Sequence, residues 1–141
     1  MKMQEMTEGR VAAQFNSFLG LRHGPQVFVN DECVVIAALS SDPYVRRYEI
    51  DMLRELKEKK QGCGTLIICD KTTDEIDGLS THAVELYPQE VPVEDGFRVM
   101  TDVTVGQVLG TFKSLYFGLK PDNPSTSGKI NRVVTGVNIY D

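Results

Sequence analysis

Two unbroken apolar runs constrain this chain most. Residues 33–39 (Cys-Val-Val-Ile-Ala-Ala-Leu) and 65–69 (Thr-Leu-Ile-Ile-Cys) are short, rich in β-branched side chains and lack polar alternation. Runs of this kind read as strands buried on both faces, as in a parallel sheet. Parallel strands need a crossover, and the stretch between them can supply one. Asp42 suits a helix N-cap and Pro43 the first helical position. From there to about residue 60, Val45, Tyr48, Met52, Leu53 and Leu56 form a stripe at helical spacing. Lys57, Lys59 and Lys60 fall near the negative end of that helix, and Gly62 is its stop. A third, weaker strand reads at 82–86. Residues 99–119 read as a long helix carrying Val103, Val105, Val108, Leu109, Phe112, Leu115 and Tyr116. Lys120-Pro121-Asp122-Asn123-Pro124 ends it, and residues 125–141 read as a tail, extended at 133–139.

The order of elements predicts an α/β fold with a mostly parallel sheet. The chain nevertheless opens with a helical pattern where a doubly wound sheet opens with a strand. Across residues 1–19, Val11, Phe15, Phe18 and Leu19 fall at i, i+4, i+7 and i+8, and Gly9 divides the stretch into two helices. Residues 20–25 read as a loop punctuated by Gly20, Gly24 and Pro25.

Composition narrows the class of function. At 141 residues the chain is long enough for one compact domain with a real core. Fifteen Lys and Arg against twenty Asp and Glu leave a net charge of −5, with no basic cluster, which argues against nucleic acid as a partner. No apolar run approaches the roughly 18–20 residues of a membrane span. The start, Met-Lys-Met-Gln-Glu-Met, lacks the apolar core of a signal peptide. Cys33, Cys63 and Cys69 show no CxxC spacing and read as small hydrophobes in a reduced cytoplasm. With two histidines, His23 and His82, and no paired spacing, no zinc site is expected.

Several segments could carry chemistry, each beside a plainer reading. His23, pinned before Gly24-Pro25, is either a proton carrier near neutral pH or an ordinary loop histidine. Lys2 and Glu5, at i and i+3, share a helix face and are either a site pair or a solvated ion pair. Ser40-Ser41-Asp42 lies where a strand hands over to a helix, a place where phosphates bind, but Asp42 would repel one and helix capping is the better reading. The acidic segment 70–75 meets the same objection. Residues 122–128 form a polar turn that could end the helix or hold substrate hydroxyls.

Taken together, particular segments resemble a known family. Glu5-Met6-Thr7-Glu8-Gly9, Ser17-Phe18-Leu19-Gly20-Leu21-Arg22-His23-Gly24-Pro25 and Ser41-Asp42-Pro43-Tyr44 are similar to the second sugar isomerase (SIS) domain of phosphosugar isomerases. Gly118-Leu119-Lys120-Pro121-Asp122-Asn123-Pro124-Ser125 and Asn131-Arg132-Val133-Val134-Thr135-Gly136-Val137 narrow the resemblance. It points to the tagatose-6-phosphate ketose/aldose isomerase, or galactosamine-6-phosphate deaminase, subfamily, and covers essentially the whole chain. The fold it implies is a three-layer α/β/α SIS-type domain with a mostly parallel sheet.

The resemblance also implies roles. In the related isomerase domain of glucosamine-6-phosphate synthase, a Lys-x-x-Glu before the His-Gly-Pro loop supplies the carboxylate that moves a proton between C1 and C2. That pattern matches Lys2 as a substrate-binding residue and Glu5 as the base, working through an enediol or enolamine. The ring-opening histidine matches His23, which in that relative reaches into a neighbouring subunit's site. A lysine near the synthase's C-terminus falls at Thr135, so its role does not transfer. No cofactor and no metal are implied. Full members have two SIS halves, the first carrying the loop that holds the sugar phosphate. Residues 1–141 match only the C-terminal half, without its first strand. An open sheet edge invites pairing, so the expected partners are a second copy or an N-terminal SIS half, and the isolated chain is expected to be inactive. The alternatives are a non-catalytic SIS module that binds a phosphosugar or a partner subunit, and a fragment without independent function.

Overall fold

The computed structural model describes residues 2–87, 93–128 and 136–140. The chain forms two compact units, one of residues 1–14 and 103–141 and the other of residues 15–102.

The second unit holds the sheet. Strands β1 (Val34–Ala38), β2 (Gly64–Cys69) and β3 (His82–Glu85) pair in parallel in the order β1-β2-β3. Ala37 pairs with Ile67, and Ile67 with Ala83. Helix α3 (Pro43–Glu58) crosses over between β1 and β2, and α4 (Asp74–Leu79) between β2 and β3. Ala37, Leu39, Ile67 and Cys69 from the sheet pack with Ile50, Met52, Leu53 and Leu56 of α3 and Ile76 of α4. Burying these side chains is the main source of this unit's stability, at about 1.5–3 kcal/mol for each large one.

The α/β class, the parallel pairing and the three strands are those the sequence predicts; the details differ in five places, four of them in the strands and the helices before the last helix. First, β1 is not covered on both faces. It is an edge strand, and Val34 and Ile36 are 61% and 47% exposed. Second, the buried stripe of α3 is rotated. Val45 and Tyr48 face outward, and Glu49 and Ile50 go in with Met52, Leu53 and Leu56. Glu49 is held there because its Oε2 accepts the Ser40 N–H at 2.7 Å. Third, residues 70–80 contain α4, which the acidic composition hides. Thr73 caps it by accepting from Ile76 N at 3.3 Å, and Asp74, Glu75 and Asp77 suit the positive end of a helix.

Fourth, the opening segment is not helical to residue 19. Helix α1 is only Lys2–Met6, and α2 is Phe18–Arg22. Glu8 (φ +54) and Gly9 (φ +75) turn the backbone into the left-handed region and end α1. Thr7, fully buried, fixes that turn: its hydroxyl donates to Met3 O at 2.7 Å and accepts from Val11 N at 3.3 Å. Residues 12–17 have no regular structure, Phe15 is 92% exposed, and Ser17 starts α2 by accepting from Gly20 N.

Helix α5 (Asp95–Tyr116) begins four residues earlier than its apolar pattern suggests. Within the first unit, its later turns pack against α1. A Cβ at Gly110 would lie 3.1 Å from Met6 Sδ, so the missing side chain lets the two helices approach closely. Gly118 (φ +69) closes the helix, with Leu119 N donating to Ser114 O at 3.0 Å. The expected extended end at 133–139 falls partly outside the described residues, and residues 136–140 form no strand.

Candidate active site

In the first unit, α1 presents Lys2 and Glu5 one turn apart. Lys2 Nζ lies 2.8 Å from Glu5 Oε2 and 3.0 Å from Oε1, with both side chains more than half exposed. They line a cavity of about 470 Å3 whose other walls include Gln107 and Thr111 of α5 and Asn123 and Ser125 of the following loop. Two segments far apart in the sequence, Lys2/Glu5 and 122–125, thus meet in one place. The loop is shaped by Asn123 N donating to Lys120 O at 2.9 Å. Glu8 ties its far end: Oε1 accepts from Thr126 N at 2.6 Å and from Thr126 Oγ1 at 2.9 Å. The Thr126 hydroxyl bond, with further N–H donors of the loop and Arg10, holds the Glu8 carboxyl below its ordinary range against some burial. In the sequence Glu8 stands out only within the family segment 5–9, because its partner lies 118 residues away.

His23 belongs to the second unit, where it closes α2. Its N–H donates to Leu19 O at 3.2 Å, and its side chain is exposed. The flanking residues are anchored to α3. Arg22 Nε and Gln26 Nε2 donate to Glu55 at 2.9 and 3.2 Å. Lys59, Gln26 and Arg22 together pull the Glu55 carboxyl down to about 2. The histidine loop is therefore fastened on both sides while the ring stays open to solvent. Glu5 and His23 fall in different units.

The strand-to-helix turn after β1 is a structural device. Asp42 caps α3, its Oδ1 accepting from Tyr44 N and Val45 N. Three further donors of the turn go to Asp95. Ser41 N and Ser41 Oγ each lie 2.7 Å from Asp95 Oδ1, and the Ser40 hydroxyl donates to Oδ2. An internal carboxylate thus takes the donors a phosphate would use. Behind it Arg98, 1% exposed, donates to Leu39 O at 3.2 Å and pairs with Asp102 at 3.3 Å. Asp70, at the end of β2, is paired with Arg46.

Among the described residues no group of three or more His, Cys, Asp or Glu is placed to hold a metal ion. Burial pushes the Cys69 thiol up to about 11, so it is an inert core residue. Among the described residues no helix is long and apolar enough to cross a membrane. Thr135 and the segment 131–135 of the family pattern lie outside the described residues.

No family model matches the chain. It is 37% identical over 142 aligned residues to D-galactosamine-6-phosphate deaminase AgaS of Escherichia coli, a match covering 99% of this chain and 36% of the relative. The crystal structure of tagatose-6-phosphate ketose/aldose isomerase from Escherichia coli superposes with a TM-score of 0.83 at 31% identity, covering 99% of this chain and 34% of that one. A Clostridium novyi NT structure provisionally assigned to the same isomerase class gives a TM-score of 0.89 at 33% identity, covering 99% and 36%. The chain is similar in sequence and in fold to part of each of these proteins. It spans about a third of the length of the family members it matches. Its parallel α/β sheet is that of the family's solved structures.

Proposed function

We propose that the chain carries the proton-transfer part of a phosphosugar aldose–ketose isomerase or amino-sugar-phosphate deaminase, acting on tagatose 6-phosphate or galactosamine 6-phosphate. The observation that carries this reading is the Glu5 carboxylate on the wall of a cavity large enough for a hexose, with Gln107, Thr111, Asn123 and Ser125 among its other lining residues. His23 opens the sugar ring by moving a proton from the C1 hydroxyl to the ring oxygen. Glu5 then takes the proton from C2 of the open-chain aldose and returns it to C1. With a C2 hydroxyl the intermediate is an enediol and the product a ketose. With a C2 amine it is an enolamine, then an imine, which water hydrolyses to ketose and ammonia. Lys2 holds the carboxylate in position and offsets negative charge developing at O1.

Charge favours the amino sugar. Among the described lining residues Glu5, Glu8 and Asp122 face one cation, Lys2, a setting that suits a protonated amine. On this reading the protein works in the cytoplasm, as a homodimer or beside an N-terminal SIS half. The test is a chimera in which this chain replaces the matching third of the Escherichia coli relative. Ammonia release from galactosamine 6-phosphate should survive the replacement. Glu5→Gln should then lower kcat by about 100-fold or more with the fold intact, the usual size of a lost general base. A Glu5→Gln chimera that keeps its turnover removes Glu5 as the base and overturns the reading.

A further inference from the structure

We propose that Glu8 is a positioning residue, whose bond to Thr126 holds the 121–125 wall of the cavity in the shape that faces Glu5. The proposal rests on the reading of that cavity as a sugar site. Helix α1 is five residues long, too short to hold itself, so its relation to the loop must come from specific ties. Asn123 and Ser125 sit between two of them. The Lys120–Asn123 turn fixes the loop on the α5 side, and Thr126 fixes the other end to Glu8.

Glu8 is a non-glycine residue in the left-handed region, at φ +54, with Gly9 at +75 beside it. Backbone strain of that kind persists where surrounding contacts impose it, and it gathers at functional sites. Here it delivers the carboxylate to Thr126. Both Glu8 oxygens lie 2.9 Å from the threonine hydroxyl, and Oε1 also takes the Thr126 N–H at 2.6 Å. Arg10 closes the other side. Its guanidinium lies 3.5 Å from Glu8 Oε2 and donates to Phe117 O at 3.4 Å, over the Phe117 ring. A polar wall holds a sugar in one pose only when its own supports are locked.

The test uses the chimera proposed above, which supplies the phosphate-holding half of the site; wild type here means that chimera without further substitution. Galactosamine 6-phosphate binding is measured for wild type, Glu8→Gln, Thr126→Val and Thr126→Ser. Glu8→Gln should weaken binding by about tenfold and Thr126→Val, which keeps the Thr126 N–H bond, by no more than that; the double variant should lose less than the two combined, because they share the hydroxyl bond. Thr126→Ser keeps the hydroxyl and should bind as wild type. A tie that merely stabilises the fold would move melting temperature and leave affinity at saturating folded protein unchanged; that result overturns the proposal. A second readout needs no sugar. The Asn123 side-chain amide signals should follow the Glu8 titration in wild type and lose that step in Glu8→Gln. The other charged groups around Glu8 are Arg10, Lys2, Glu5 and Asp122, and the substitution leaves all four in place. If galactosamine 6-phosphate fails to bind wild type, the sugar-site reading falls, while the Asn123 titration still decides whether Glu8 sets the wall. Asn123 signals that ignore the Glu8 titration overturn the positioning role.

Discussion

Ser41 donates twice to one oxygen of Asp95, from its backbone N–H and from its hydroxyl, each at 2.7 Å. The carboxylate comes from the first turn of α5, 54 residues downstream, and the Ser40 hydroxyl takes its other oxygen. The carboxyl ends of parallel strands are where α/β sheets usually receive ligands. This one is closed from within. Asp95→Asn keeps the shape but removes the charge that strengthens these bonds. It should cost about 1–2 kcal/mol in urea unfolding, and Asp95→Ala more. An Asp95→Ala protein as stable as wild type would show that the turn holds itself.

Arg98 should be the most sensitive position near that turn. Its guanidinium is buried between Leu39 O, Asp102 and Asp95, with Tyr87 across its face. Arg98→Ala strands the Asp102 carboxylate, which burial already pushes above its ordinary range. The expected loss is about 3–5 kcal/mol, the usual result of breaking a buried pair from one side. Adding Asp102→Asn to Arg98→Met should recover part of it. A double variant less stable than Arg98→Met alone would mean Asp102 has another role.

Two α3 carboxylates should give opposite pH effects. Glu55, held down to about 2, has a folded pKa below its unfolded value. Its contribution is present above the ordinary carboxylate range and disappears as pH falls from about 4.5 towards 2. Glu55→Gln should flatten that acid limb of urea-unfolding stability. Burial raises the Glu49 pKa, although the Ser40 N–H opposes the shift. Its folded form keeps a proton after the unfolded form has lost it, so stability falls as pH rises through that window. Glu49→Gln still offers Ser40 an acceptor oxygen and should remove the fall. Identical pH profiles for both variants and wild type would contradict these assignments.

What could be read from the sequence was local or periodic. Asp42-Pro43 announces α3 because cap and first turn are neighbours, and the runs at 33–39 and 65–69 announce strands because they are short, apolar and rich in β-branched side chains, although β1 leaves Val34 and Ile36 exposed. Lys2 and Glu5 share a helix face by spacing alone. The Glu49, Asp95 and Arg98 network was not legible, since its partners are 9 to 59 residues apart and each reads singly as a surface charge. Val11, Phe15, Phe18 and Leu19 mimic a helical stripe, but Thr7 and the left-handed Glu8 end the helix first. Glu8 gave no signal beyond its place in the family segment, because its partner Thr126 lies 118 residues away.

Self-association is expected from the apolar surface of α5. Phe97, Met100, Phe112 and Tyr116 are each about two-thirds exposed or more, a density of large apolar groups unusual for a monomer. Light scattering should give at least a dimer mass at micromolar concentration, and Phe112→Glu should shift it towards monomer. A monomer mass across a wide concentration range would refute the expectation.

The assignment of Glu5 and His23 to one reaction makes a sharper demand on the assembled enzyme. His23 sits on a loop bounded by Gly20 and Gly24 and fastened at Arg22 and Gln26, with its ring turned to solvent. Such a ring can serve a neighbouring subunit. In the active chimera, Glu5→Gln should stop proton transfer, and His23→Asn should slow ring opening. An acyclic substrate analogue should therefore be hurt much less by His23→Asn than the cyclic sugar. If each site takes Glu5 from one subunit and His23 from the other, mixing the two inactive variants creates hybrids with one intact site. Random exchange in a two-fold dimer then restores about a quarter of wild-type activity. If both residues act within one chain, every hybrid site still carries one substitution and mixing restores nothing. No recovery despite confirmed exchange would thus place both in the same subunit. Full activity in either single variant would return that residue to the surface chemistry its exposure alone suggests.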